Sequence, residues 1–350
     1  MASDLTPHFL AFAGTTRRRA PLYSRLSAGL AGLPLLDELY TDAPAQARMP
    51  VMLFGAVHYL LLADPQVPLA RFYPNLGGTD DGDPLPAFLD FCAAHAGDLR
   101  HLIATRLPQT NEVGRSALLL AGLGQLEPGP VGLLDVGASA GLNLLLDRFA
   151  YADGAGNRLG ESTVLIDCEV RGRRPGGTGG HGLADRMPAL GARLGLDTTP
   201  VDLADADATR WVEACVWPDQ ADRFERLRRA VALHAAHPVE VRRGDAVDGL
   251  EAALRALATD HPVVATSWVL SYLPAASQAD FVAVLDGWGA THRISWVWVE
   301  APNLVSALPV EAALANDPGT LLGLSTWRDG VRTDRLLARC HPHGYWLRWL

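Results

Sequence analysis

Strands that alternate with helices from residue 129 onward, a glycine-punctuated strand-to-helix junction at 131–149, and a first third that is helical throughout predict an α/β fold. The expected form is a Rossmann-like, doubly wound sheet with an N-terminal helical cap and an antiparallel C-terminal edge. A chain of 350 residues, 49% hydrophobic and 20% charged, is long enough to bury one large core plus a cap. The division expected is 1–128 for the cap and 129–350 for the sheet domain.

Within the cap, PAFLDFCAAHAGDLRHLIATR sets Phe88, Phe91, Cys92, His95, Leu99, Leu102 and Ile103 at helical spacing, and Glu112 to Leu126 continues as a second apolar helix. Residues 64–84, rich in Pro, Gly and Asp, predict a loop, and Glu127-Pro128-Gly129-Pro130 ends the helical part. VGLLDVGASAGLNLLLDRF follows as strand, turn and a helix expected over 141–150. The glycine-dense stretch 151–188 around STVLIDCEV reads as a hairpin insertion. Beyond it come a strand in GARLGLD, helices near 207–216 and in WPDQADRFERLRRAVAL, and a strand in PVEVRRGDA. A helix at 247–258, the strand HPVVATS, a helix at 275–288 and the strand RISWVWVEA complete an alternation that demands a parallel sheet. LLGLSTW, a turn at Asp329-Gly330, VRTDRLLARC and GYWLRWL predict short strands at an antiparallel edge.

The formal charge of −9 argues against nucleic acid as the main partner. All 30 basic residues are arginine, so Schiff-base and P-loop lysine chemistry is excluded. Cys92, Cys168, Cys215 and Cys340 are dispersed, without the spacing of a metal site or a disulfide framework, so no metal is expected. The run Arg17-Arg18-Arg19 before LSAGLAGLPLL follows sixteen other residues and is interrupted at Pro21, which predicts a helical hairpin rather than a leader. VMLFGAVHYLLLA is too short to span a bilayer. These readings predict a cytoplasmic protein that acts on a small molecule, with no membrane or nucleic-acid partner; oligomeric state is not legible.

The junction at 135–143 admits two chemistries. In a nucleotide-binding turn, Gly137 and Gly141 let the backbone approach a ligand, with Ala138, Ser139 and Asn143 beside it, and Asp135 orders the turn or holds a polar ligand group. In a G-x-S-x-G elbow, Ser139 would be a nucleophile served by a later acid, Asp245 or Glu300, and by His341. A plain tight turn is the bland alternative. Ligands of open α/β sheets lie outside the carboxyl ends of the strands, which nominates Asp135, Asp197, Gly244, Asp245, Ser267 with Trp268, and Glu300. Asp197 and Asp245 suit ribose hydroxyls and an adenine amino group; Asp167 or Glu169 is the rival second-strand acid, and each alone is equally an ordinary cap. A polar cluster at Gln109, Asn111, Glu112 and Arg115 opens an apolar helix, either as an N-cap or as a substrate face in which Glu112 is the base. His58, beside Tyr59 in an apolar helix, is a weaker base candidate and more simply a core residue. Trp268, Tyr272 and Trp217 either wall a pocket or fill the core.

FGAVHYLLL at 54–62, QTNEVGR at 109–115, DVGASAGLNLLLDRF at 135–149, GLDTTPVD at 195–202 and ACVWPDQ at 214–220 resemble, over nearly the whole chain, an uncharacterised bacterial domain family described as methyltransferase-like. D-x-G-x-S-x-G with a later Gly-Asp also resembles the cofactor motifs of class I S-adenosylmethionine-dependent methyltransferases. Ser139 departs from a usual glycine there, and Ser267-Trp268-Val269-Leu270 stands where an N/D-P-P-Y element would follow the fourth strand. The resemblance implies a methyltransferase-type sheet with S-adenosylmethionine at the 135–143 turn and methyl transfer to a small acceptor. The rivals are a serine hydrolase, an NAD-dependent oxidoreductase whose glycine spacing is not met, and a non-catalytic nucleotide-binding sensor.

Overall fold

The computed structural model describes residues 5–177 and 180–350. The chain forms two compact units, one of residues up to Thr110 together with Leu203–Arg228, the other of Asn111–Asp202 and Arg229–Leu350. This boundary differs from the expected one at 128, for a packing reason. The helix Ser116–Leu123 lies on the sheet so closely that a Cβ on Gly122 would collide with Val297, which places 111–128 with the strands. Conversely, Trp211 and Ala214 fill the aromatic core of the helical unit.

In the helical unit, Pro21, Pro34 and Pro50 each open a helix, where a missing N–H loses no helical bond. Tyr23 stacks on Phe54 at 4.4 Å between centroids, and Phe9, Phe88 and Trp211 close the core around them. The long helix expected through 86–106 is two, Leu85–Ala94 and Ala96–Thr105, broken at His95 just before Gly97. No helix of the described residues is long and apolar enough to cross a membrane.

The sheet unit carries β1 (Pro130–Val136), β2 (Ala150–Ala152), β3 (Arg158–Leu159), β4 (Leu165–Asp167), β5 (Glu169–Arg171), β6 (Ala189–Asp197), β7 (Val241–Arg243), β8 (Pro262–Ser267), β9 (Ile294–Glu300), β10 (Thr320–Arg328), β11 (Val331–Cys340) and β12 (Trp346–Trp349). A nine-stranded sheet runs β5-β12-β11-β10-β9-β8-β1-β6-β7. From β7 to β9 it is parallel; β10, β11 and β12 join antiparallel, and β5 closes the far edge parallel to β12. The fold is therefore mixed α/β with a large, mostly parallel centre. The stretch 151–188 supplies the separate β3-β2-β4 sheet as well as β5.

Alternation along the strands separates the two faces. Leu134, Val136, Leu194, Leu196, Val264, Trp296 and Trp298 pack with the helices Leu250–Leu257 and Ala275–Gly289. Val297, one residue out of phase, meets Gly122 on the other face. Gly323 lies opposite Trp298 on β10, and the indole fills the volume a Cβ would need.

The helix expected over 141–150 is instead a 3₁₀ segment, Leu142–Arg148, irregular at Leu145. Side chains take the carbonyls an α-helix would use. Arg193 on β6 donates to Leu144 O at 2.9 Å and grips the Asp147 carboxylate at 2.6 and 2.9 Å, while the Tyr151 hydroxyl donates to Leu146 O at 2.6 Å. Local periodicity predicts a helix here, and tertiary partners override it.

Candidate functional site

Strand order reverses between β1 and β8: β1 leads outward to β6 and β7, and β8 returns to β1's other side before β9. Such a switch point leaves a crevice beyond the carboxyl ends of both strands. Asp135, opposite Gly195 and Ala265, stands at its floor. It is buried, and no hydrogen-bond donor among the described residues reaches its carboxylate. Burial above all, with the neighbouring Asp197 charge, pushes it up to about 7 against the pull of Arg115.

Gly137, Ser139 and Gly141 all adopt left-handed backbone, with φ of 74°, 51° and 74°. Gly137 has no room for a Cβ against Val269, whereas Ser139 is a strained non-glycine. The expectation that these amides face a ligand is corrected by the structure. Gly137 N–H donates to Leu196 O at 2.8 Å, Ser139 N–H to Asp197 Oδ2 at 2.8 Å, Ala140 N–H to Asn111 Oδ1 at 3.1 Å, and Gly141 N–H to Ala138 O at 2.7 Å. Ala138 N–H shares the Leu196 carbonyl at 3.3 Å. A buried amide must find an acceptor, and Asp197 and Asn111 supply them. Asn111 also donates to Ser139 Oγ at 3.1 Å.

Around this turn the segment 111–116 forms one wall. Arg115 donates from Nη1 to Ser267 O at 2.8 Å and from Nε to Pro342 O at 2.9 Å, tying the end of β8 to the turn between β11 and β12. Glu112, with a fully buried side chain, accepts from Gly114 N–H at 3.0 Å, and its second oxygen faces His343 Nδ1 at 2.9 Å. Trp268, next after β8, holds φ at 58°, and its buried Nε1–H has no acceptor among the described residues. Glu300 ends β9, accepts the amides of Val269 and Leu270 at 3.1 and 3.4 Å, and is pushed up to about 7 by burial.

The second-strand acid is placed by pairing. Asp197 is the last residue of β6, which pairs with β1, whereas Asp167 lies in the small sheet and Glu169 at the far edge. Gly244 N–H donates to Asp197 O at 2.9 Å, and Asp245 caps the amides of Val247 and Asp248 at 2.7 and 3.2 Å. Asn143 accepts from Ser116 Oγ at 2.7 Å, a bond that braces the wall.

Other candidates lie elsewhere. His58 is wholly buried in the helical unit, with Nδ1 at 3.0 Å from Ala214 O and Nε2 at 2.9 Å from Asn75, and desolvation lowers it to about 4; a base role is corrected to a core one. Trp217 packs on Phe12 in that same core, and the Gln109 amide donates to Cys215 Sγ there. Tyr272 is 82% exposed and so does not fill the core. His341, nominated as an elbow histidine, accepts the His343 amide at 3.1 Å, so the imidazole backed by an acid is His343, two residues on. Sequence reading missed His343; its only cue was the turn-forming His-Pro-His-Gly run.

A cleft of about 590 Å³ opens at the opposite, amino end of β1, lined among others by Gln125, Arg174, Asp185, Arg186 and Arg335. Among the described residues no group of three or more His, Cys, Asp or Glu side chains is placed to hold a metal ion.

No curated protein and no solved structure matches the chain. The profile of one family, described as an uncharacterized protein conserved in bacteria (DUF2332), matches residues 7–349, and the chain belongs to that family.

Proposed function

We propose that the sheet unit binds S-adenosylmethionine in the β1/β8 crevice and transfers its methyl group to a small-molecule acceptor. One observation carries the reading: Asp135, Asp197 and Gly244-Asp245 stand at the carboxyl ends of β1, β6 and β7, three neighbouring parallel strands, beside a left-handed glycine turn. Asp197 spends one lone pair of each oxygen on the amides of Ser139 and Thr199, at 2.8 Å each, and its partial exposure leaves the other two for a ribose diol. Asp135 is left to hold a polar or cationic ligand group. Because the turn's amides are taken, recognition rests on these carboxylates rather than on backbone N–H groups. The bound group supplies an already activated methyl, so the chain's own tasks are alignment, exclusion of water and acceptance of a proton.

Calorimetric titration of the full chain with S-adenosylmethionine, S-adenosylhomocysteine and NAD tests this. Binding of the first two alone is expected; binding of none overturns the proposal.

A serine hydrolase is the second reading. It is favoured by the φ of 51° at Ser139 and by the acid-backed imidazole of His343. Against it, the Ala140 N–H that an oxyanion hole would use is held by Asn111. A fluorophosphonate probe that labels the chain, but not its Ser139→Ala variant, would establish the hydrolase and displace the first reading.

A further inference from the structure

The cleft at the amino end of β1 lies within the sheet unit, at the opposite end of that strand from the crevice. One wall is 123–131, the end of the helix Ser116–Leu123 and its run into β1; the other is built from 174–176 and 185–189, between β5 and β6. The two walls are tied together. A Cβ on Gly124 would press on Ala184, and Pro130 and Val131 pair with Ala189 and Leu190 in the sheet. Pro128, Pro130, Pro175 and Pro188 stiffen both walls and remove four backbone donors, which leaves recognition chiefly to side chains.

Three of those side chains are arginines, set against two carboxylates that are both already answered. Asp185 pairs with the buried Arg174, and Glu127 is held by Arg293 at 3.2 Å and Arg328 at 2.8 Å, neither of which lines the cleft. Arg186 and Arg335 remain, one on the 185–189 wall and one reaching in from β11, and neither forms an ion pair among the described residues. Gln125 accepts from Arg335 Nη2 at 3.2 Å, which orients that guanidinium without neutralising it. Two positive charges therefore stand over a concave surface that also exposes Leu123, Leu126, Val131 and Met187, in a chain of formal charge −9. Among the described lining residues there is no Ser, Thr, Cys, His or Tyr, so the cleft is equipped to bind rather than to react.

We propose that this cleft binds a small organic dicarboxylate, whose two carboxylates are held by the guanidinium groups of Arg186 and Arg335 and whose carbon body lies on the apolar part of the lining. Its volume of about 590 Å³ falls within the ~300–1,000 Å³ of small-molecule sites and exceeds what an inorganic anion fills. A planar guanidinium meets a carboxylate with two parallel N–H donors, and two guanidiniums on separate elements call for two separate anionic groups. The site goes beyond the methyl-transfer reading and does not depend on it.

Calorimetric titration of the full chain with glutarate, adipate and isophthalate, at about 50 and about 200 mM NaCl, tests this. At least one is expected to bind with a Kd below ~1 mM, more weakly at the higher salt. Arg186→Gln and Arg335→Gln are each expected to weaken that binding by about tenfold or more, whereas Arg100→Gln, exposed in the helical unit, leaves it unchanged. Both cleft arginines are exposed, so thermal midpoints close to wild type are expected to show that the variants fold. No binding of any of the three up to ~10 mM, or binding that neither variant weakens, would overturn the proposal. Equal affinity for the neutral diamide of the bound acid would overturn it as well, because the cleft would then read shape without charge. Binding of phenyl phosphate in place of the dicarboxylates would overturn the ligand class.

Discussion

Asp135→Asn should reverse the sign of its effect with pH. Burial raises the Asp135 carboxyl from 3.8 to about 7 in the folded chain. Between those values the folded state keeps a proton that the unfolded state has released, so stability declines as pH climbs from about 4 to about 7 and levels off beyond. A rise of roughly three units, at ~1.4 kcal/mol each, costs the folded chain on the order of 4 kcal/mol at pH 8. Asparagine removes that cost but brings two N–H donors into a place where the acid has no partner, a penalty of about 1–3 kcal/mol. At pH 3, below the ordinary value of 3.8, the acid is neutral in both states, so only the penalty remains and the variant should be weaker than wild type. At pH 8 it should be stronger by about 2 kcal/mol, the difference between the two effects. Urea denaturation of the full chain, followed by tryptophan fluorescence at both pH values, measures this directly. A variant destabilised equally at the two would show that Asp135 is ionised and compensated, and the reasoning about the crevice floor would fail.

Glu300→Gln should move stability the same way over roughly pH 4.5 to 7, with a smaller gain at high pH because the glutamate already accepts two amides; a denaturation profile unchanged in slope would refute it. Asn111→Ala leaves the Ala140 amide without its acceptor and should cost about 1–3 kcal/mol in the same assay, whereas Asn111→Asp, which keeps the acceptor, should recover part of it. Gly323→Ala drives a methyl into the Trp298 ring and should lower the thermal midpoint by several degrees, a cost of about 1–3 kcal/mol or more; an unaltered midpoint would mean that β9 and β10 yield freely.

The strands β1, β8 and β9 in the centre of the sheet were legible because each carries an almost wholly buried apolar run, whereas their order in the sheet is not in any local pattern. Asp197 could be chosen over Asp167 and Glu169 only on the density of turn residues at 151–188; pairing to β1 is a tertiary fact that no local pattern contains. The same limit explains the failure at 142–148, where the apolar period is helical but Arg193 and Tyr151, anchored elsewhere, claim the carbonyls. His58 was misjudged as a possible base because a histidine in an apolar helix looks alike whether its nitrogens face a cavity or, as here, Ala214 and Asn75. His343 escaped notice since its chemical meaning lies in Glu112, and only the return of β11 and β12 to the helix that follows Glu112 brings the two together.

The two ends of the parallel sheet differ in what they cost the fold, and this is the best guide to which end is used. At the carboxyl end, Ser139 and Trp268 hold left-handed backbone in the segments that follow the adjacent strands β1 and β8, each at about 1–3 kcal/mol, where glycine would relieve the strain. Asp135 and Glu300 are buried there with carboxyls pushed up to about 7, where an amide would be cheaper. The other left-handed non-glycines among the described residues, Ala258 and Asp329, merely end a helix and turn a hairpin. At the amino end lies a cleft of about 590 Å³, whose buried Arg174 is answered by Asp185 and whose Arg335 is answered by Gln125, an arrangement that asks nothing of the backbone. A fold that keeps strained and ionisable groups at one end, when simple substitutions would stabilise it, marks that end as the place to test for function, and Asp135 and Asp197 there are the carboxylates on which the proposed ligand site depends.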